Sequence, residues 1–380
     1  MTPEPSEIDP GRLGERLAAL PGVERLRDAA AGEPVHLVGG AVRDLLLGRP
    51  RADADLVVEG DATEVARRLG GEVRSHARFG TATARVDGLT VDVAGARTET
   101  YPAPGALPEV RPASLADDLA RRDFTINAMA VPLAGDPELV DPHEGLADLR
   151  AGLLRVLHPG SFADDPTRTL RAARYAARFG FELERGTARL LEDADLVTVS
   201  ADRVAAELHR TAGEDDPVAA FGLIARWGLI EIPDERLTLL SPLADLFDGK
   251  PWSAVAARAD AIVVAATGDL SEAKRLASLA PARPSEVVAA ARGSSGVELA
   301  LARAMGATWL DDYVRELRDV RLEISGADLM EAGVEEGPAV GRGLAAALRA
   351  KLDGEASGAD EELRIALEAA RTPAAPAGQG

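Results

Sequence analysis

The sequence predicts an α+β protein: an N-terminal α/β head built on a small mixed β-sheet, followed by an all-helical neck, body and tail. Three observations lead there. Short β-branched runs alternate with single helical segments between Pro34 and about Leu157, and strand signals almost vanish after Asp165. Beyond that point Ala, Leu, Arg and Glu recur at helical spacing. With 380 residues, 46% of them hydrophobic, the chain has apolar mass for two or three compact units.

The first element is an amphipathic helix over residues 11–30. VHLV (35–38) and DLVV (55–58) read as strands, as do TATARV (81–86) and LTVDVA (89–94), the last two joined by an Asp87-Gly88 turn. VRDLLLG and DATEVARRLG read as helices closed by glycine. The expected organisation is an N-terminal helix (1–30), a head (31–160), a helical neck (161–215), a helical body (216–320), a helical tail (321–372) and an unstructured Ala/Pro/Gly end (373–380).

Composition excludes several function classes. With no cysteine, thiol catalysis, disulfide scaffolds and cysteine-bound metals are ruled out. A formal charge of −20 argues against a protein held on nucleic acid by bulk charge, so any polyanion must meet a local patch. The start, MTPEPSEIDPGRLGERL, lacks a basic, then apolar, leader, and no apolar run reaches the roughly 18 residues of a membrane span. A soluble, cytoplasmic protein is expected. The histidines, His36, His76, His143, His158 and His209, show no metal-ligand spacing and are assigned structural roles.

Four segments carry candidate chemistry. In VHLVGGAVRD a strand meets Gly39-Gly40 and passes into a helix. Backbone amides there suit phosphate oxygens and Arg43 adds charge; a tight turn without a ligand is the plain alternative. The G-x-G-x-x-G dinucleotide fingerprint is missing. In RPRADADLVV, Asp53 and Asp55 stand at i, i+2 and share one face of a strand. Adjacent carboxylates repel unless a cation lies between them, so ligands for magnesium on a triphosphate stand against a solvated loop. Asp92, flanked by Val91 and Val93, is a third such carboxylate or the wet face of an edge strand.

DLARRDFTINAMA (118–130) sets Arg121, Arg122, Asp123 and Asn127 beside apolar residues. Here Arg122 on a nucleotide phosphate or sugar stands against an Arg–Asp pair pinning a helix start. FADDPTRTLRAARYAARFGF (162–181) opens with Asp165 at an N-cap and Pro166 at N1. Arg168, Arg171, Arg174 and Arg178 then fall within about 120° of one helical face, the one obvious basic patch unless it is a solvated surface. If Asp165 accepts from an exocyclic amine while Arg168 donates to ring acceptors, cytosine or adenine is selected over guanine or uracil; a plain cap is the alternative for Asp165.

In order and spacing these segments resemble the class II template-independent nucleotidyltransferases, the bacterial CCA-adding enzymes and poly(A) polymerases. LVGGAVRDLLLG followed by D-A-D is similar to the family's first motif and DLARRDFTINAMA to its second. DPHEGLADLRAGLLRVL (141–157) resembles the connecting motif, DDPTRTLRAARYAARFGF the base-selecting helix and VSADRVAAEL (199–208) the neck motif. The resemblance covers residues 35–210. It implies that Gly39, Gly40 and Arg43 bind the nucleotide, with Gly40 and Arg43 on the triphosphate, and that Asp53 and Asp55 hold catalytic magnesium. It puts Arg122 on the nucleotide and makes Asp165 and Arg168 the amino-acid template for the base, with Arg171 and Arg174 nearby. Asp92, often Glu in the family, would help activate the primer 3′-hydroxyl. DDP stands where the family usually has EDP.

The implied activity is magnesium-dependent addition of C, C and A to the tRNA 3′ end from CTP and ATP. CC-only or A-only addition, poly(A) synthesis and a catalytically silent RNA-binding relative are the alternatives. Residues 96–114 resemble the flexible loop needed for the switch to A, and 324–355 the tail segment that holds the tRNA body. Residues 215–320 carry no recognisable motif, and oligomeric state is open.

Overall fold

The computed structural model describes residues 8–49, 53–70, 73–76 and 81–372. Most of the acidic opening, residues 50–52 of the RPRADADLVV segment and the expected unstructured end at 373–380 lie outside the described residues. The chain divides into two compact units, Met1–Glu231 and Ile232–Gly380.

In the first unit the strands are β1 (Val35–Val38), β2 (Asp53–Val58), β3 (Val73–His76), β4 (Thr81–Val86), β5 (Leu89–Gly95), β6 (Arg97–Thr100), β7 (Glu109–Pro112) and β8 (Ala130–Pro132). Six of them form a mixed sheet in the order β3-β4-β5-β2-β1-β8. Within it β2 and β5 run parallel, while the other neighbours are antiparallel. The β4–β5 hairpin turns at Asp87 and Gly88, both at positive φ, as a two-residue hairpin turn of this kind demands. Residues 96–114 are more ordered than a loop: β6 and β7 pair from Arg97↔Pro112 to Thr100↔Glu109, leaving a tip at residues 101–108.

The helices of this unit are α1 (Leu13–Ala18), α2 (Val23–Ala29), α3 (Gly40–Leu46), α4 (Ala62–Leu69), α5 (Leu115–Ala120), α6 (Gly145–Ala151), α7 (Ser161–Asp164), α8 (Thr167–Phe179), α9 (Arg185–Glu192), α10 (Ala201–Ala212) and α11 (Pro217–Arg226). The single helix expected over 11–30 is two, because Pro21 lacks an N–H and Gly22 takes φ +70 as the cap of α2. α4 follows the expected form: Asp61 caps it through the Thr63 and Glu64 amides, and Gly70 at φ +72 ends it. A short parallel pair, β9 (Leu153–Leu154) with β10 (Glu182–Leu183), spans the change of sequence pattern near residue 160. That change falls inside the unit, since one apolar core runs from Leu37, Leu56 and Val91 in the sheet to Ala172, Tyr175 and Phe179 on α8.

The second unit consists, among its described residues, of α12 (Asp234–Leu246), α13 (Arg258–Thr267), α14 (Ser271–Ala277), α15 (Pro284–Ala291), α16 (Gly296–Ala304), α17 (Leu310–Arg315), α18 (Gly326–Glu331), α19 (Pro338–Leu352) and α20 (Gly358–Arg371), with short 3₁₀ turns. α19 and α20 pack so closely that a Cβ on Gly343 would lie 2.6 Å from the Ala366 carbonyl oxygen. Glu362 on α20, fully buried, accepts from the Glu323 and Ile324 amides and from Lys351 Nζ at 2.6 Å. Among the described residues no helix is long and apolar enough to cross a membrane.

Candidate functional site

The sheet register assembles the floor of a cleft. β2 and β5 pair Asp53 with Thr90 and Asp55 with Asp92, so the Asp55 and Asp92 carboxylates stand side by side on one face. On the opposite face Ala54, Leu56, Val91 and Val93 enter the core. β4 pairs Thr83 with Asp92, and the Thr83 hydroxyl donates to Asp92 Oδ1. Water reaches Asp55, yet the crowded floor desolvates its carboxyl and raises its pKa. Arg122 and Arg171 oppose this shift, and the charges of Asp92 and Asp53 add to it. Asp53 shares the face but does not line the cleft, and no group of three metal-type ligands is drawn together among the described residues.

The Gly39-Gly40 turn forms the rim. Gly39 has φ +68 and ψ −133, donates its N–H to the Met129 carbonyl, and could not carry a side chain: a Cβ would lie 2.6 Å from Arg122 Nη1. Glycine here is what lets the guanidinium approach the floor. Arg122 is aimed by Asp118, which takes its Nη2 at 2.9 Å and also pairs with Arg121. Gly40 lines the cleft, whereas Arg43, expected at the triphosphate, is 2% exposed and points into the protein. It pairs with Asp44 at 2.8 Å, donates to Asn127 Oδ1, and stacks on Phe179 and Tyr175 at 4.6 and 5.2 Å. In this conformation Arg43 supports the turn from beneath, its donors taken by its neighbour Asp44 and the distant Asn127.

Helices α8 and α10 give the facing wall. Asp165 precedes α8 by two residues, and its Oδ1 accepts from the Thr167 amide at 3.0 Å and the Thr167 hydroxyl at 2.6 Å. It both caps and lines the cleft. Arg168 is buried, donating to Ser161 Oγ and to the Arg121 carbonyl, both at 2.7 Å. Arg171 reaches Asp123 Oδ2 through Nε at 2.8 Å. Burial alone would raise the Asp123 carboxyl, but Arg171 and the Asn127 amide hold it well below the usual range. Arg174 is buried against Glu214 and Glu207 and away from the cleft, and Arg178 pairs with Asp44 at 3.0 Å. The arginine stripe is therefore no open basic patch. Asp44, Asp123, Glu207 and Glu214, from outside the helix, pair with Arg171, Arg174 and Arg178, while Arg168 is held by neutral oxygens.

The open cleft holds about 730 Å³, the size of a nucleotide site, with Asp55 and Asp92 below, Arg121 and Arg122 at one side and Asp165, Arg168 and Arg171 at the other. Sequence reasoning missed Thr83, Tyr101, Arg203, Glu207 and Arg210, which also line it. Arg203 and Glu207 lie at i, i+4 within VSADRVAAEL, the one available signal.

Residues 35–155 match the Poly A polymerase head domain. The chain is 48% identical over 201 residues, 49% of its length and 47% of the relative's, to an A-adding tRNA nucleotidyltransferase of Halalkalibacterium halodurans. It is 36% identical over 365 residues to a CC-adding tRNA nucleotidyltransferase of Deinococcus radiodurans, covering 90% of this chain and 91% of that one. The Thermotoga maritima CCA-adding enzyme complexed with tRNA superposes with a TM-score of 0.67 at 28% identity, covering 94% and 98% of the two chains. The chain belongs to the class II nucleotidyltransferases. It spans about half the length, or less, of the A-adding relatives it matches.

Proposed function

We propose that this protein is a template-independent tRNA nucleotidyltransferase that completes the CCA end from CTP and ATP. The observation that carries the reading is one cleft with a paired carboxylate floor, Asp55 beside Asp92, and an acceptor–donor wall, Asp165 beside Arg168. The floor suits phosphoryl transfer and the wall suits a base.

The donor set fits a divalent cation. Hard carboxylate oxygens crowd the floor, where Asp55 and Asp92 stand side by side and Asp53 shares their face. Asp55 with Asp53 would hold magnesium, which when bound would neutralise charge on the phosphates and lower the pKa of the attacking hydroxyl. The chain's own groups do the rest. In the proposed step the primer 3′-oxygen bonds to the α-phosphorus, the bond to pyrophosphate breaks, and the hydroxyl proton passes to Asp92 Oδ2, free of the Thr83 bond on Oδ1. Arg122, fixed by Asp118, adds positive charge where the phosphates lie. Asp165 Oδ2 accepts from the exocyclic amine shared by cytosine and adenine, and a guanine or uracil carbonyl in that place would face a carboxylate. Gly39 and Gly40 keep the rim open, Arg43 and Arg174 hold it from behind, and Arg171 fixes the wall through Asp123.

A-only addition is the second reading, favoured by the 48% identity to an A-adding relative over the catalytic half. The test is incubation with magnesium and tRNA transcripts lacking CCA, ending after the first C or ending after the second C, with CTP, ATP, GTP and UTP supplied separately and together. Addition of CCA followed by a stop supports the proposal. Products only from ends that carry CC name the second reading, and no product on any end refutes both.

A further inference from the structure

Side chains that share the carboxylate face of the sheet form two rows running outward from the floor. Strand pairing sets Asp55, Asp92, Thr83 and Arg74 in one row across β2, β5, β4 and β3, and Asp53, Thr90 and Arg85 in the next. Each row passes from acid through threonine to arginine, and Arg74, Arg85 and Asp92 are exposed. The other face is closed, with Ala82, Ala84 and Val86 buried where β4 packs against α4. The cleft lining reaches Thr81 and Thr83, and beyond them the floor continues as an open polar shelf. Arg74 and Arg85 stand diagonally across β3 and β4, within reach of each other for long side chains. Like charges so placed repel unless an anion lies between them, and no carboxylate pairs with Arg85 among the described residues.

The sheet order gives the shelf a direction. From β1 to β3 it passes the Gly39-Gly40 rim with Arg122, then the carboxylates on β2 and β5, then the shelf on β4 and β3. Attacking and leaving oxygens stand in line on a reacting phosphorus. On the proposed reading the phosphates lie by Arg122 and Asp92 takes the hydroxyl proton, so pyrophosphate leaves toward β1 and the primer arrives from the β4 side. We infer that Arg74 and Arg85 are positioning residues that hold the backbone phosphates behind the primer's 3′ end, delivering its terminal hydroxyl to Asp92. The inference rests on that reading of the floor. Strands about 4.8 Å apart put β3 about 10 Å beyond Asp92, the span of two or three linkages of a stacked strand at about 3.4 Å each. The charge balance agrees, since a chain of net charge −20 holds a polyanion only at local patches.

Equilibrium binding of a tRNA transcript lacking CCA, without nucleotide, tests this apart from catalysis. Arg74→Ala and Arg85→Ala are each expected to weaken binding about five- to tenfold and to reduce the slope of log K against log salt by about 0.7, the share of one single-strand phosphate. Arg85→Lys is expected to keep most of the affinity, as a charge contact requires. Arg67→Ala makes the same charge change on α4, beneath the sheet, and is expected to alter neither quantity. Transcripts with a neutral methylphosphonate at one of the last three linkages locate the contact. At one linkage the neutral group is expected to cost the wild-type protein what Arg85→Ala costs, and to cost the Arg85→Ala protein nothing further. In steady-state kinetics the loss is expected in the KM for tRNA and not in that for CTP. Wild-type affinity in both shelf variants, an equal loss in Arg67→Ala, or losses that add at all three linkages overturns the inference. If the wild-type protein incorporates nothing while Arg85 and a neutral linkage remain coupled, the catalytic reading has failed and the shelf stands as an RNA site.

Discussion

Arg43→Ala separates two roles for one residue, a phosphate contact implied by the sequence resemblance and a buried support found in the structure. The side chain is 2% exposed and bonds Asp44 through Nε at 2.9 Å and Nη2 at 2.8 Å, and Asn127 Oδ1 through Nη1. Removing it leaves the Asn127 oxygen buried without this donor, costing about 1–3 kcal/mol. Breaking a buried ion pair outright costs about 3–5 kcal/mol, but Asp44 keeps Arg178 at 3.0 Å, so roughly half of that applies. Lost stacking on Phe179 and Tyr175 adds about 0.5–1 kcal/mol. The sum is about 5 kcal/mol, which for a unit of this size lowers Tm by roughly 10–20 °C. Scanning calorimetry of the full chain, with CTP added to identify the transition of the first unit, reads it. An Arg43→Ala protein with wild-type Tm and reduced nucleotide affinity would refute the supporting role and restore the phosphate contact.

Gly39→Ala places a Cβ 2.6 Å from Arg122 Nη1 at φ +68, ψ −133, a backbone region that costs a non-glycine residue about 1–3 kcal/mol. Steady-state kinetics are expected to show at least a roughly tenfold loss of kcat with the fold retained by circular dichroism, and a normal kcat would argue that Arg122 does not act at the floor. Glu362 has a folded-state pKa below its ordinary 4.5: burial opposes the shift, but Lys351 and two backbone amides outweigh it. Its stabilisation is present above pH 4.5 and lost as pH falls from there through the lower folded value, so Glu362→Gln is expected to flatten the acid side of the second unit's Tm profile. An unchanged acid slope contradicts that. Deleting 102–108 is expected to stop addition after CC, and unaltered A addition would remove the ribbon tip from the switch.

The strands that carry the floor were legible because they obey period two against the core and turn at Asp87-Gly88, a local signal. Asp53 and Asp55 were placed on one face for the same reason, but the partner of Asp55 was not readable, since the parallel β2–β5 register depends on a crossover. The arginine stripe of α8 shows the limit of single-helix reasoning. The 100° periodicity grouped Arg168, Arg171, Arg174 and Arg178, yet the acids that pair with the last three sit at 44, 123, 207 and 214, brought near only by packing. The partners of Arg43 were hidden for a similar reason, because Asn127 lies 84 residues away. The ribbon at 97–112 escaped notice because prolines and polar residues hide a weak strand pair that pairs only with itself.

The central claim is that the Asp55–Asp92 floor performs nucleotidyl transfer, and Asp55→Asn tests it most directly. Single-turnover incorporation of CMP into a tRNA lacking CCA, with magnesium, is measured beside equilibrium CTP binding to the same protein. Loss of about a thousandfold or more in the chemical step, with CTP affinity within about tenfold of wild type, is the predicted result. Turnover within tenfold of wild type would contradict the account.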